Sequence, residues 1–326
     1  MSVLRRRVVL AGSVAASLGV PAIARAQGDW PKGPIKFVVP FPPGGSTDPI
    51  ARLIQAKLTD TVGWNVVVDN KPGGSGVVGA AVAAKSPPDG NTWLIVFDNH
   101  ILNTLWGQQN LPYKDSELMP VTQIGRSAQG IAAYPTRPYN SFAEMVKAAK
   151  AEPGKISVGA LAASLAQIFL AFVQKENGFE LNTIPYKGGG PLYQDALAGV
   201  TDLSVTSLAN MMPHVSAGKL KLIGVTGETR TKLAPNVPTL TEQGIKAMPS
   251  FSWWGVYAPA GTPRPIVERM HAEIAKAVRS PDVTQKFVEQ FDMEITLNSP
   301  AKFAAFTAKE QEIWAKVIRD NSLKPE

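Results

Sequence analysis

Cysteine is absent from this chain of 326 residues, and histidine occurs only three times. Without cysteine there is no disulfide framework, no thiol nucleophile and no cysteine-ligated zinc or iron–sulfur cluster. His100, His214 and His271 are far apart in the sequence and form no metal-binding pair of the HExxH kind. We therefore expect neither a metal centre nor a cofactor.

Beyond the first 26 residues, the sequence has neither a strong excess of one charge sign nor a long apolar run. The formal charge is +7, from 33 basic and 26 acidic residues, and four of the basic ones lie in that first segment, which has no acidic residue. The other Lys and Arg residues are scattered, which argues against a nucleic-acid partner because such proteins gather basic residues on one face. No later run approaches the length of a membrane-spanning helix.

The first 26 residues have the pattern of an export signal. Three arginines at 5–7 are followed by a small, apolar stretch over 8–23 and by an A-x-A site at 24–26. We expect cleavage near Ala26 and Gln27 and a mature protein in the periplasm. The arginines leave both the general secretory route and the twin-arginine route open.

Strand and helix patterns alternate along the rest of the chain. Apolar strand patterns at 35–39, 66–68 and 93–97 are each bounded by turns, and helical patterns follow the first two. The alternation continues, and two long helical patterns over 263–279 and 300–321 close the chain. This order predicts an α/β fold with a mostly parallel sheet.

Two glycine-rich turns lead from strands into helices. GGSTD occupies 44–48, where Asp48 fits an N-cap and Pro49 the first helical position, and GGSGVVG occupies 73–79. Turns after neighbouring parallel strands share one sheet edge and offer N–H groups and hydroxyls to an anion. The second turn contains GxGxxG, but it follows the second strand rather than the first, so we favour a carboxylate over a dinucleotide. Two ordinary tight turns are the alternative. The residues expected to bind one carboxylate are Gly45, Ser46, Thr47, Ser75, Gly76 and Val77.

Asp98 and His100 follow the third strand pattern, where ligands of open α/β folds bind. We expect Asp98 to accept a hydrogen bond from an amine or hydroxyl of a ligand, with capping of the next segment as the alternative. A periplasmic hydrolase or isomerase using both residues is the rival function, although the sequence has no GxSxG nucleophile elbow. Trp253, Trp254 and Tyr257 are typical of a buried strand, with a ligand stack as the alternative.

Several short motifs occur in order along the chain. They are PFPPGGSTD at 40–48 followed by Ala51 and Arg52, NKPGGSG at 70–76, PPDG at 87–90, PYKG at 185–188, Asp202, VPT at 237–239 with Glu242 and Gly244, and APAGTP at 258–263. Their order and spacing over the mature chain resemble those of the Bug receptors, the substrate-binding proteins of tripartite tricarboxylate transporters.

The resemblance implies a two-lobed periplasmic-binding-protein fold of type II-like topology, with a ligand cleft between two α/β domains. One lobe would comprise 28–128 and 252–326, and the other 129–251. Two crossover strands, near 124–131 and 251–257, would join them. The lobes would close on a ligand whose carboxylate is held by the two glycine-rich loops.

The resemblance also implies a monomeric solute receptor, not an enzyme, that delivers a small organic acid to the membrane components of a tripartite transporter. Ligands of such receptors are mostly dicarboxylates, tricarboxylates, acidic amino acids and aromatic acids. A binding protein that signals to a partner remains the alternative. The expected ligand-binding residues are Phe41, Gly45, Ser46, Thr47, Ser75, Gly76, Val77, Asp98, His100 and Ser164.

Two departures from the family pattern bear on the ligand. Asp98 and Asn99 stand where the family usually has small residues, and the loop of the second lobe at 159–164 is apolar instead of rich in Ser and Thr. An acid in the cleft repels a second carboxylate. We therefore expect a mono-acid with an apolar body, or an acid with an amine or hydroxyl for Asp98, rather than a tricarboxylate.

Overall fold

The computed structural model describes residues 30–105 and 111–323. The predicted export signal over 1–26 lies outside the described residues. The described ranges contain ten strands and ten α-helices. The strands are β1 (Ile35–Val39), β2 (Val66–Asn70), β3 (Thr92–Phe97), β4 (Leu118–Ala133), β5 (Ser157–Leu161), β6 (Asn182–Tyr186), β7 (Leu203–Ser207), β8 (Lys221–Val225), β9 (Phe251–Pro259) and β10 (Glu294–Asn298). The helices are α1 (Thr47–Val62), α2 (Val77–Ala84), α3 (Asn99–Leu105), α4 (Phe142–Ala151), α5 (Leu165–Asn177), α6 (Gly189–Ala198), α7 (Leu208–Ser216), α8 (Arg264–Arg279), α9 (Pro281–Glu289) and α10 (Pro300–Asp320). None of these helices is long and apolar enough to cross a bilayer.

The strands form one mixed sheet in the order β2-β1-β3-β9-β4-β7-β5-β6, with β8 and β10 also paired to β4. Strand β1 is parallel to β2 and β3, and β5 is parallel to β6 and β7. Strands β4 and β9 are antiparallel to each other and to their other neighbours. The α/β fold predicted from the alternating patterns is confirmed, because parallel neighbours are joined by helical crossovers. The expectation of a mostly parallel sheet is wrong, because five of the nine described strand pairs are antiparallel and all five involve β4 or β9.

Strands β4 and β9 connect the two halves of this sheet. Over its 16 residues, β4 first pairs with β9, from Leu118 to Ala128, and then with β7, from Gln129 to Ala133. We call β1–β3 and β10, with α1–α3 and α8–α10, the first half, and β5–β8, with α4–α7, the second half. Strands thus occupy the positions expected for the crossovers. A division into lobes with the expected boundaries stays a prediction.

Helices α3, α7 and α9 and strand β10 were not predicted from the sequence. Helix α3 begins at Asn99, directly after β3, without turn residues to mark it, and α7 contains Pro213, a residue that normally ends a helix. The predicted Asp48 cap of α1 is wrong, because the helix begins at Thr47. The Asp48 carboxylate instead binds the side chains of Arg52 and Asn70.

The aromatic strand β9 contributes to the core on both faces of the sheet. Trp253 and Trp254 are both 0% exposed. Trp254 packs against Phe97, with ring centroids 5.4 Å apart, and Trp253 packs against Phe303 at 5.5 Å. Successive residues of a strand point to opposite faces, so these two rings cannot share one ligand stack.

Candidate functional site

A cavity lies between the two halves of the sheet, where several helices begin. The space at this place is about 570 Å³, which includes the part that is open to solvent. Helices α1, α5 and α6 begin at its wall, and α7 contributes a residue of its first turn. Helix N-termini carry partial positive charge and free N–H groups, so their convergence favours an anion. The cavity is lined by Phe41, Pro42, Gly45, Ser46, Thr47, Asp48, Ser75, Phe97, Asn99, Leu161, Ala162, Ser164, Tyr186, Lys187, Gly188, Gly189 and Asn210.

The start of α1 lies at the wall of the cavity. Ser46 and Thr47 are 5% and 4% exposed and line the wall. The N–H groups of the first helical turn have no acceptor within the helix. The Asp48 carboxylate accepts from Arg52 Nε and from Asn70 Nδ2, both at 2.9 Å. Because Arg52 compensates its charge, Asp48 does not oppose an anion here.

Three residues of the second glycine-rich loop were predicted to bind the ligand, and of these Ser75 alone lines the cavity. Ser75 has a positive φ of 51°, and its carbonyl oxygen accepts hydrogen bonds from the side chains of Asn99 and Asn103. Gly76 and Val77 are not part of the wall. Their N–H groups donate to the carbonyls three residues earlier, which closes the turn internally. The expectation that Gly76 and Val77 offer free donors is therefore wrong.

Ser164 lines the cavity from the second half, but its hydroxyl is already engaged. The oxygen accepts from Gln167 N at 3.3 Å, and the hydrogen is donated to the Leu161 carbonyl at 2.6 Å. A hydroxyl has one hydrogen to donate. Ser164 thus caps α5 and cannot also donate to a carboxylate in this conformation.

An apolar wall and one cation complete the cavity. Phe41 meets Phe97 edge-on, with centroids 6.4 Å apart, and Leu161 and Ala162 face them from the second half. Lys187 lies in the exposed part of the wall, and no described acidic group forms an ion pair with it. Sequence reasoning missed the wall residues Phe97, Asn99, Tyr186, Lys187, Gly188, Gly189 and Asn210. The PYKG motif was the available signal, but it served only as a family marker.

The rims of the two halves are in contact. A Cβ added to Gly189, the first residue of α6, would lie 3.5 Å from the Cα of Gly45. A Cβ on Gly188 would lie 3.3 Å from Cγ of Pro42. The absence of side chains at these glycines lets the backbones meet, so this is a closed form of the cavity.

Asp98 and His100 lie behind the cavity wall and do not line it. Asp98 is 0% exposed, and burial raises its pKa to about 8. His100 packs edge-on against Tyr257, with centroids 4.7 Å apart, and burial lowers its pKa to about 4. The expected ligand contacts of both residues are wrong in this conformation, because the strand end turns them into the core. The pair required by a hydrolase or isomerase likewise does not face the cavity.

Comparison with known proteins gives a family. Residues 50–323 match the family model described as tripartite tricarboxylate transporter family receptor. The chain is 34% identical over 317 residues to the UPF0065 protein in the tcbD-tcbE intergenic region of Pseudomonas sp. (strain P51), covering 96% of this chain and 94% of that one. It is 32% identical over 324 residues to protein BugT of Bordetella pertussis, covering 98% and 99%.

A solved structure agrees with this assignment. The structure of R. palustris Rpa4515 with adipate has a TM-score of 0.87 and 30% identity, covering 91% of this chain and 100% of that one. The family match spans most of the chain, and the two relatives and the solved structure each cover more than nine-tenths of it. The chain therefore belongs to the family of tripartite tricarboxylate transporter receptors.

Proposed function

We propose that this chain is an extracytoplasmic receptor that encloses one small organic acid and passes it to the membrane components of a tripartite transporter. The observation that carries the proposal is the start of α1 in a closed cavity. There, Ser46 and Thr47 line the space, the Ser46 side chain makes no capping hydrogen bond, and the N–H groups of Thr47 and Asp48 have no acceptor within the helix. A carboxylate accepts several such hydrogen bonds, and charge-assisted bonds are the stronger ones.

The apolar wall and Lys187 restrict the acid further. Phe41, Phe97 and Leu161 favour a hydrocarbon body, because burial of apolar surface stabilises a complex. Lys187, on the opposite rim, suits a second anionic group. Since Asp98 lies outside the cavity, the expected repulsion of a second carboxylate does not arise. We therefore infer a dicarboxylate with an apolar chain, and the adipate in the Rpa4515 structure belongs to this class.

Closure of the cleft is part of the proposal. In this proposal, the two halves of the sheet act as two lobes, 28–128 with 252–326 and 129–251. Rotation about β4 and β9 would separate the rims at Gly45 and Gly189 and let the acid enter. We further propose that the chain is exported, loses residues 1–26 and acts as a monomer.

Calorimetry with three acids tests the proposed ligand class. Adipate, hexanoate and citrate differ in the number of carboxylates and in the apolar chain between them. We expect adipate to bind most tightly, hexanoate to bind weakly because it leaves Lys187 unpaired, and citrate to bind weakest because it desolvates a third charge. Native mass spectrometry of protein that was purified without a refolding step would identify any co-purified acid. No heat from any acid, together with no co-purified acid, would contradict the receptor proposal.

A further inference from the structure

The carboxyl group of Asp98 is buried at a junction of elements from both halves of the sheet. Neither of its oxygens makes a hydrogen bond of ordinary geometry with a described residue. The polar groups that face it are the Ser252 hydroxyl on β9 and the backbone N–H of Leu165, the first residue of α5. The Ser252 oxygen already accepts from Gln129 Nε2 at 2.7 Å, so its own hydrogen is left for Asp98.

No cation compensates Asp98 in the described part of the chain. Glu310 on α10 is the charged group that faces it, and burial raises the pKa of Glu310 as well. The positive charge of Arg126 on β4 opposes this rise in the pKa of Glu310. Glu310 also accepts a hydrogen bond from the Trp314 indole at 3.1 Å. Burial, reinforced by the Glu310 charge, raises the pKa of Asp98 to about 8. The buried acid is thus held in its neutral form at neutral pH.

Asp98 lies directly behind the wall that the ligand would contact. Its two chain neighbours line the cavity from the first half, and Ser164 lines it from the second half, immediately before α5. The rims of the same halves meet at Gly45 and Gly189. In the rotation proposed above, a movement that separates the rims would also withdraw the start of α5 from Asp98 and admit water to the carboxyl group.

We propose that Asp98 couples closing of the cleft to the uptake of one proton. In the closed form, the neutral acid is enclosed between β9 and the start of α5. In the open form, water reaches the group and it ionises. This role rests on the proposed function, because it takes the closing of the two halves from it. Asp98 acts on the conformational equilibrium and makes no contact with the ligand.

The direction of the pH effect follows from the two protonation equilibria. A solvated aspartate has a pKa of about 3.9, whereas the closed form holds it near 8. Between these values closing requires proton uptake, so rising pH disfavours the closed form by up to about tenfold per pH unit. Above pH 8 the effect levels off. His100 acts in the opposite direction below about pH 6.5, its ordinary pKa, because burial lowers its pKa to about 4 in the closed form. The two effects oppose each other there, so the net fall of the closed form is expected between about pH 6.5 and 8.

The test measures the distance between the two halves in ligand-free protein. The chain has no cysteine, so Ala56→Cys and Ala198→Cys, exposed positions on α1 and α6, give two unique sites for spin labels. Double electron–electron resonance at pH 7, 8 and 9, where His100 is mainly neutral in both forms, reports the closed fraction. We expect that fraction to fall with rising pH in the labelled parent chain. It should stay high and constant in Asp98→Asn, whose amide has the same shape and no charge.

Asp89→Asn is the matched control, because Asp89 is exposed in the turn before β3 and accepts from the backbone of Asn91, as an amide oxygen also can. It should follow the parent chain. A closed fraction that is independent of pH, rises with pH, or changes equally in Asp98→Asn overturns the proposal.

A second measurement covers the case in which Asp98→Asn does not fold. Calorimetry of the wild-type chain with adipate at pH 7, in two buffers of different ionisation enthalpy, counts the protons taken up on binding. About one proton per adipate is expected from the two pKa values. Adipate binding without proton uptake overturns the coupling and leaves the receptor role intact. Failure of adipate to bind counts against the proposed function, and the resonance measurement on ligand-free protein still decides the coupling.

Discussion

A hydroxyl in the cavity wall can hold a carboxylate only where its hydrogen is free. Ser46 and Thr47 make no hydrogen bond with another described residue through their hydroxyls, whereas the hydrogen of Ser164 is donated to the Leu161 carbonyl. Three buried hydroxyls of similar appearance therefore have two different roles. Two keep a hydrogen that they could donate to a ligand, and one stabilises the start of α5.

The double substitution Ser46→Ala and Ser75→Ala should weaken adipate binding by about 1–3 kcal/mol, because it removes charge-assisted hydrogen bonds. The midpoint of urea unfolding should hardly change. Ser164→Ala is the contrasting control: it should lower the stability of the fold by about 1 kcal/mol through the lost cap and affect binding less. Calorimetry and urea titration measure the two effects. Wild-type affinity in the double variant would show that the carboxylate is held elsewhere.

Lys187 should distinguish acids by their second charge. In Lys187→Gln, we expect the affinity for adipate to fall several-fold and the affinity for hexanoate to stay the same, because hexanoate has nothing for the ammonium to pair with. High salt should reduce the difference between the two acids in the wild type, since Lys187 is exposed. Lys150→Gln, an exposed position on α4, is the control. Equal losses for both acids in Lys187→Gln would assign the side chain a structural role.

Sequence reasoning located the start of α1 because a glycine-rich turn before a helix leaves N–H groups free in almost any setting. It failed at Gly76 and Val77, because their N–H groups close the turn itself, which only its backbone angles decide. For Asp98, the sequence drew attention to an acidic residue at the end of a strand, but it did not indicate which way the side chain points. The pairing of β3 with β9 turns its two neighbours toward the cavity and Asp98 away from it.

The start of α6 forms one rim of the cavity because it has glycines where other helices have side chains. Gly188 and Gly189 approach Pro42 and Gly45 within van der Waals distance of an added Cβ. Gly190, one residue further, has nothing within 4 Å of such a Cβ. Two adjacent glycines of one helix turn therefore differ in whether a side chain would separate the rims.

Gly189→Leu should hold the cleft open, because its side chain would occupy the space of the opposite rim. We expect the affinity for adipate to fall at least tenfold, while Gly190→Leu binds like the wild type. Both changes replace glycine in a first helical turn, so their effects on helix propensity are matched. Calorimetry measures the affinities. Equal affinities in the two variants would mean that the rims do not meet in the bound form.

The pattern of strands was predictable, but several helices were not. Continuous apolar runs such as that of β3 identify buried parallel strands on their own. Helix α3 follows β3 after a single residue, so turn residues that would mark its start are absent. Helix α9 begins at Pro281 directly after Ser280, a helix-start signal that sequence reasoning passed over. Their boundaries depend on packing against the sheet and against α8 and α10.

Small-angle scattering should detect closure of the whole molecule. We expect the ligand-free protein to have a larger radius of gyration than the closed structure, and saturating adipate to reduce it, because the two halves rotate about β4 and β9. Gly189→Leu serves as the control and should not contract. A wild-type radius that adipate leaves unchanged would argue for a cavity that is closed before the ligand arrives.

The place of β9 in the sheet has a consequence for how the chain acquires its structure. Leu118 pairs with Pro259 and Leu94 with Tyr257, so the centre of the sheet joins segments that are far apart in the sequence. Contacts between distant segments form slowly, since the loop between them must close first. The first half therefore cannot complete its sheet until synthesis has passed β9. A nascent or truncated chain ending before residue 251 would expose the unpaired edges of β3 and β4 to aggregation.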